Sequence, residues 1–192
     1  MCFEKTLELW KKALVKPKET FKKERKKANL GLGAKYILVA GAITGFILGI
    51  SSLNLVTALL FIIVYPLMSV ASWLFGSGVN YIFARLLGGN GDYTTQSYLV
   101  ALYAAPFSII TVVIMLIPVV GVWLTFLVSL YGLYLLTLAL KETHKYSTGR
   151  AVLTWLLPMI IITIVMAALV AMILMAYIGT LSPFPDLQGL LV

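Results

Sequence analysis

The chain has 192 residues, 61% of them hydrophobic and 11% charged, with a mean hydropathy of +1.00. Soluble domains run at roughly 45–50% apolar and about 25% charged, so a soluble core of this size is excluded. The net charge of +8 comes from 15 Lys and Arg against 7 Asp and Glu; it would suggest nucleic acid on a soluble domain, but eleven basic residues lie between Lys5 and Lys35 and the next ionisable acid or base is Arg85. A membrane surface is therefore expected as the partner of that charge, and nucleic acid is not. One cysteine, Cys2, and one histidine, His144, rule out a disulfide framework within the chain and a Cys/His metal cluster, and no cofactor is expected.

Residues 1–34 read as a cytosolic basic leader. Phe3, Leu7, Trp10 and Leu14 recur at offsets of 4, 7 and 11 and share one helical face, with Lys5, Glu8, Lys11 and Lys12 around the rest. This is the pattern of an interfacial amphipathic helix. Pro17 ends it and begins a second helix through Lys22, Lys23, Arg25, Lys26 and Lys27, which the pair Gly31 and Gly33 is expected to stop. In this picture Trp10 inserts into the leaflet and the lysines lie over anionic lipid headgroups; the alternative is a solvated basic tail that only sets orientation. No apolar stretch of signal-peptide type occurs in the first 35 residues, so the first span is read as retained.

Residues 35–178 contain five apolar runs long enough to cross a bilayer, which predicts an all-α, polytopic five-helix transmembrane bundle. The spans are Lys35 to Ser52, Leu55 to Asn80, Ser97 to Ile117, Val122 to Leu140 and Val152 to Tyr177. Pro66, Pro106 and Pro158 fall inside spans as kinks. The apolar stretch Leu55 to Leu87 exceeds the bilayer thickness, and a bend along the interface near Arg85 is expected. The halves of the chain show no repeat of the kind many transporters carry. With the N-terminus inside, all fifteen basic residues fall on the cytosolic side and the tail, 179–192, lies outside. That predicts a multi-pass membrane protein with a cytosolic N-terminus.

Gly41, Gly45 and Gly49 place a small face on the first span, and Ser69, Ser72, Gly76 and Asn80 a small or polar stripe on the second. Both suit close helix packing, within the chain or in a homodimer. No charge interrupts the stretches from Tyr36 to Ala84, Tyr93 to Leu140 or Ala151 to Thr180, so proton relays and carboxylate sites in the membrane are unsupported. His144 is read as a solvated loop residue, too far from any serine within the membrane to act as its base. The string Gly88, Gly89, Asn90, Gly91, Asp92 lacks the Lys and Ser or Thr of a phosphate loop and reads as a turn. Asp92 is expected to cap the third span through Thr94 and Thr95. Trp10, Tyr36, Trp123 and Trp155 read as interfacial anchors, with Trp73 deeper.

The order of several short elements resembles the Yip1 domain family. Trp10, Leu14, Pro17, Thr20 and Phe21 are similar to the run that precedes the first span in prokaryotic members. Gly88, Gly89, Gly91 and Tyr93, followed by Tyr98, Ala101, Tyr103, Ala105 and Pro106, resemble the family's entry into its third span; Pro118, Gly121 and Trp123, with Tyr131 and Gly132, resemble its turn and fourth span. The resemblance implies five spans and a cytosolic N-terminus, and the likeness to prokaryotic members implies a prokaryotic plasma membrane. Eukaryotic relatives are linked to Rab GTPases and vesicle traffic and carry a longer acidic region with an Asp-Leu-Tyr-Gly-Pro stretch, which this chain lacks, so no GTPase partner is implied. The expected function is a non-enzymatic membrane scaffold or adaptor, in membrane organisation or trafficking-like processes, with lipid or a membrane protein as partner. The alternative is a small channel or permease lined by Ser69, Ser72, Thr111 and Ser129.

Overall fold

A computed structural model describes residues 3–181, with side chains described for residues 4–177. It divides into two units, one up to Trp155 and one from Leu156 onward. All regular structure among the described residues is helical: α1 Phe3–Val15, α2 Pro17–Glu24 and its 3₁₀ extension Arg25–Lys27, α3 Leu30–Ser51, α4 Leu55–Leu86, α5 Tyr93–Met115, α6 Val120–His144 and α7 Thr148–Leu181. The last five are long and apolar enough to cross a membrane. Of the tail at 179–192, only 179–181 are described, as the end of α7; the side chain of Phe3 is also outside the described residues.

The helix ends follow from capping chemistry. Asn29, Asn54 and Asp92 each sit in extended backbone and accept a hydrogen bond from the amide three residues on, Leu32 at 2.9 Å, Thr57 at 3.0 Å and Thr95 at 2.8 Å. Each supplies an acceptor to one of the unpaired amides of a first helical turn. Asn29 therefore starts the first span, and Gly31 and Gly33 lie inside α3 rather than stopping the helix before it. Gly33 is there for space: a Cβ would lie 3.1 Å from the Trp73 ring. α4 continues as one α-helix past Arg85 to Leu86, with no break where a bend along the interface was expected. Pro66 lies inside it, and the helix ends where Gly88, at φ +82°, lets the Gly89 amide reach the Ala84 carbonyl at 2.8 Å and its own amide reach Arg85 at 3.1 Å. That paired closure needs a left-handed residue, which glycine adopts without a Cβ penalty.

In the first unit α3 and α4 run antiparallel with their backbones close. A Cβ built on Gly41 would strike the Ser69 hydroxyl, one on Gly45 the Phe61 carbonyl, and one on Gly49 would lie 3.0 Å from the Ala58 carbonyl. The glycine face of α3 is thus filled by α4 of the same chain. Ser69 faces this contact, but Ser72 is exposed and a Cβ on Gly76 would meet nothing within 4 Å. The sequence reading put Gly76 in the packed stripe; the buried face of α4 instead continues through Trp73, Ser77 and Ala84. One residue back from Ser77 is about 100° around the helix, which turns Gly76 away. α5 lies against α3, α4 and α6, and its first half, Thr95 to Tyr103 with Val100 half-buried, is the most buried stretch of the chain. From Leu156 onward α7 is a single uncharged apolar helix containing Pro158.

Candidate functional site: the charged end and its docked leader

The charged residues of the first unit gather at the end of the bundle where α3 begins, α4 and α6 finish, and the leader lies. The leader is not a helix resting on a surface by one greasy face. Trp10 is 3% exposed, its ring edge-on to Tyr36 at 6.0 Å, and Ala13, Pro17, Thr20 and Phe21 are buried as well. The expected insertion of Trp10 into the leaflet is therefore corrected: the ring is a core side chain of the bundle. Tyr36 is corrected with it, being buried rather than interfacial. The physical reason lies in the partner. An apolar face that meets aromatic side chains from α3 and α5 gains van der Waals contact and water exclusion together, which a lipid interface only partly offers. Leu7 stays 44% exposed and Leu14 half-buried.

Local chemistry bends the leader into a hairpin. Pro17 takes the first position of α2, where no amide is required, and the Thr20 hydroxyl can donate to either of two carbonyls at the end of α1, Lys16 at 2.8 Å and Lys12 at 3.0 Å. Phe21, fully buried, packs against Tyr103 with ring centroids 6.3 Å apart. Tyr131 on α6 donates to the Leu14 carbonyl. Glu24 is 8% exposed, with Tyr98 donating to it at 3.2 Å and Lys27 paired at 3.4 Å. A buried carboxylate without partners would be strongly destabilising, so the tyrosine and lysine make this anchor tenable. Arg25 adds a pair to Glu142 of α6 at 3.7 Å.

Beneath the leader lies a buried polar layer that sequence reasoning missed. His144, expected in solvent, is 1% exposed at the last residue of α6. The Gly91 amide donates to its Nδ1 at 3.1 Å, and its Nε2 lies 2.8 Å from Gln96 Oε1. Since Nδ1 accepts, Nε2 carries the hydrogen and donates, and the ring is held neutral in one tautomer. Gln96, fully buried, completes the link by donating from Nε2 to the Ser77 carbonyl at 2.7 Å. One histidine and one glutamine thus join α4, α5, α6 and the glycine-rich loop. The loop glycines leave room for the ring: a Cβ on Gly89 would lie 2.6 Å from His144 Nδ1 and one on Gly91 2.5 Å from Thr143 Cγ2. Trp73 donates to the Ser97 carbonyl at 3.1 Å and Trp155 to the Thr137 hydroxyl at 3.0 Å, both within this first unit; Trp123 is 71% exposed.

With its apolar side docked, the leader displays its cations. Lys22, Lys23, Lys26 and Lys27 are exposed and Arg25 is half-buried. A cleft of about 610 Å³ between α1 and α2 is rimmed by Lys5, Lys12, Lys16, Lys23 and Lys27, with Glu8, Glu19 and Glu24 among them. A second, of about 430 Å³, lies among Lys22, Arg25, Lys26, Asp92 and Lys145. Three of the four hydroxyls weighed as a solute path are engaged with their own helices: Ser69 donates to Pro66 at 2.7 Å, Thr111 to Phe107 and Ser129 to Thr125, each at 2.8 Å. Ser69 and Ser72 share a lateral pocket of about 310 Å³ with Ser108, and neither Thr111 nor Ser129 lines it. Among the described residues no cluster of three or more His, Cys, Asp or Glu could hold a metal ion.

No curated protein and no solved structure matches the chain. The Yip1 domain family model matches residues 11–172, which takes in most of the leader, the glycine-rich loop, the first four helices long and apolar enough to span and the fifth as far as Met172. The residues that carried the resemblance also have structural work to do, since Trp10, Pro17, Thr20 and Phe21 dock the leader and Tyr98, Ala101, Tyr103 and Ala105 receive it or lie beside it in the core. This chain belongs to the Yip1 domain family of multi-pass membrane proteins.

Proposed function

We propose that the protein is a non-catalytic membrane scaffold or adaptor of the Yip1 type, seated in a prokaryotic plasma membrane with its leader in the cytosol and its C-terminus outside. The observation that carries this reading is the docked leader. Its apolar face is spent on the bundle, so its lysines become a fixed array at one end of the molecule rather than a flexible tail. An array of that kind suits the anionic headgroups of the cytosolic leaflet, where each cation near the surface contributes about 1 kcal/mol before salt screening. Orientation follows the same charges: the α3–α4 and α5–α6 turns, 52–54 and 116–119, carry none, while the other end carries Arg85, Lys141, Lys145 and Arg150 besides the leader. The channel reading has less support, because Ser69, Thr111 and Ser129 bond to their own helices and the four candidate hydroxyls do not line one pocket.

Two measurements test this. Reporters inserted near Asn90 and fused after Val192 should lie on opposite sides of the membrane; finding both on one side would refute the topology. The protein extracted with its surrounding lipid in polymer discs should be enriched in anionic phospholipid relative to the bulk membrane, and reconstituted vesicles should show no added flux of small neutral solutes. Unchanged lipid composition together with measurable flux would favour the channel.

A further inference from the structure

We propose that the seam between α2 and the last turns of α6 is a binding site for one anionic glycerophospholipid, with its phosphate among Lys18, Lys22 and Lys141 and an acyl chain laid along α6. This deepens the scaffold reading and rests on its orientation of the charged end toward an anionic leaflet. The seam is a notch of about 280 Å³ whose sides are Lys18, Lys22 and Lys141 and whose floor is Phe21 and Leu138, with Glu142 at one edge.

Three observations converge on it. The first is uncompensated charge. Among the described residues Lys18, Lys22 and Lys141 are exposed and form no ion pair, and Lys141 only donates to the Thr148 hydroxyl at 3.0 Å. Glu142, the one carboxylate at the notch, is already engaged by Lys145 at 2.6 Å and Arg25 at 3.7 Å. Three ammonium groups facing one notch repel one another unless an anion sits between them. The second is the floor. Phe21 is fully buried and Leu138 half-buried, so the site is cationic at its rim and apolar beneath, as an amphiphile requires and a soluble anion does not.

The third observation is what lies below. Lys141 and Leu138 are followed on the same helical face by Tyr134, Tyr131, Leu127 and Leu124, at alternating spacings of four and three. Tyr134 is 46% exposed, Tyr131 41%, Leu127 60% and Leu124 37%. The stripe from Tyr134 to Leu124 is about 15 Å long by helical rise, about half of a hydrocarbon core roughly 30 Å thick. A chain entering at the notch thus finds one leaflet's depth of exposed apolar and aromatic surface. In that arrangement Tyr134 and Tyr131, whose hydroxyl donates to the Leu14 carbonyl of the leader, take the place of rings at a membrane–water boundary, and the lysines keep their ammonium groups at headgroup height by extending along their stems.

The test uses the full chain purified in a mild detergent and analysed by native mass spectrometry during titration with dioleoyl phosphatidylglycerol, dioleoyl phosphatidylcholine or chain-free glycerol phosphate. One phosphatidylglycerol should be retained per chain, at least about tenfold more tightly than phosphatidylcholine, and glycerol phosphate should not displace it. Lys18→Gln with Lys22→Gln and Lys141→Gln should lower that retention about tenfold. The same loss of charge at Lys35, Arg85 and Arg150, exposed but outside both the leader and the notch, should leave it unchanged, and Lys18→Arg with Lys22→Arg and Lys141→Arg should preserve it; equal melting temperatures keep the comparison independent of folding. Equal retention of both phospholipids, displacement by glycerol phosphate, or equal loss in the two Gln triples would overturn the site. The scaffold reading fails separately, if the lipid surrounding the wild-type protein shows no anionic enrichment while the single retained lipid persists.

Discussion

Two helix contacts in this molecule are built from opposite materials. Between α3 and α4, glycines at 41, 45 and 49 bring one backbone against another, and the fit is so close that a single methyl would collide with a carbonyl or hydroxyl. Between the leader and the bundle, the contact is made by Trp10, Phe21, Tyr36, Tyr98 and Tyr103, with Glu24 hydrogen-bonded among them. Inside the bilayer, lipid is as apolar as leucine, so spans gain by close approach and dispersion rather than by leaving water. At the charged end water is present, and large aromatic surfaces gain by excluding it. Small residues hold the membrane-embedded contact and large ones the contact at its edge.

The sharpest way to break that contrast is to truncate a plug. Phe21→Ala removes a fully buried ring from the leader dock, and losses of about 3–5 kcal/mol are typical of such changes. The melting temperature in detergent should fall by more than for any other substitution named in this paragraph, and proteolysis within residues 1–29 should become rapid; a protected leader would mean that it docks by other contacts. Gly45→Leu attacks the other seam. Overpacking against the Phe61 carbonyl should cost about 1–3 kcal/mol or more, read as a lowered melting temperature with the leader still protected. If both changes release the leader equally, the two seams form one cooperative unit and the comparison dissolves. His144→Leu strands the Gly91 amide and the Gln96 carbonyl oxygen inside the molecule, at about 1–3 kcal/mol by the usual cost of an unsatisfied buried group. Hydrogen exchange at the Gly91 amide should accelerate; unchanged exchange would show that the ring does not hold the loop. Gly76→Leu comes last, with an expected change within about 0.5 kcal/mol, because a Cβ at that position would meet nothing within 4 Å. A loss comparable to that of Gly45→Leu would show Gly76 to be packed after all.

The contrast explains what could be read from residues alone. Glycines at a spacing of four announce a close-packing face whatever the partner, because the face is defined by one helix. Tyr36 and Trp10 announced only aromatic character, and an aromatic near a span end suits lipid and core equally. His144 misled in the same way: beside Lys145 and three residues after Lys141 it has the neighbours of a solvent loop, and only Gln96, 48 residues earlier in sequence, identifies its acceptor. Lys18 and Lys141 went unnoticed since neither belongs to a run; the trace they left is the stripe Lys141, Leu138, Tyr134, Tyr131 on α6. The break of the leader into two helices was legible in Pro17, though not their folding back on each other, whereas the start of the first span was misjudged because two glycines outweighed the Asn29 cap.

Composition and local pattern alone determined that this is a helical membrane protein with five helices long enough to span, where most of its turns fall, that Asp92 caps the third of them, and that its basic residues lie in the leader, at the start of the first span and around the second and fourth connections. Those properties depend on hydrophobic length and on neighbours in the chain, which a linear reading contains. Tertiary structure decided which side of the leader is spent on the bundle, that His144 is a buried link rather than a loop residue, and which lysines converge on a common notch. Each depends on side chains meeting across dozens of residues, where the same tryptophan or lysine serves lipid, water or protein according to what the fold brings opposite it.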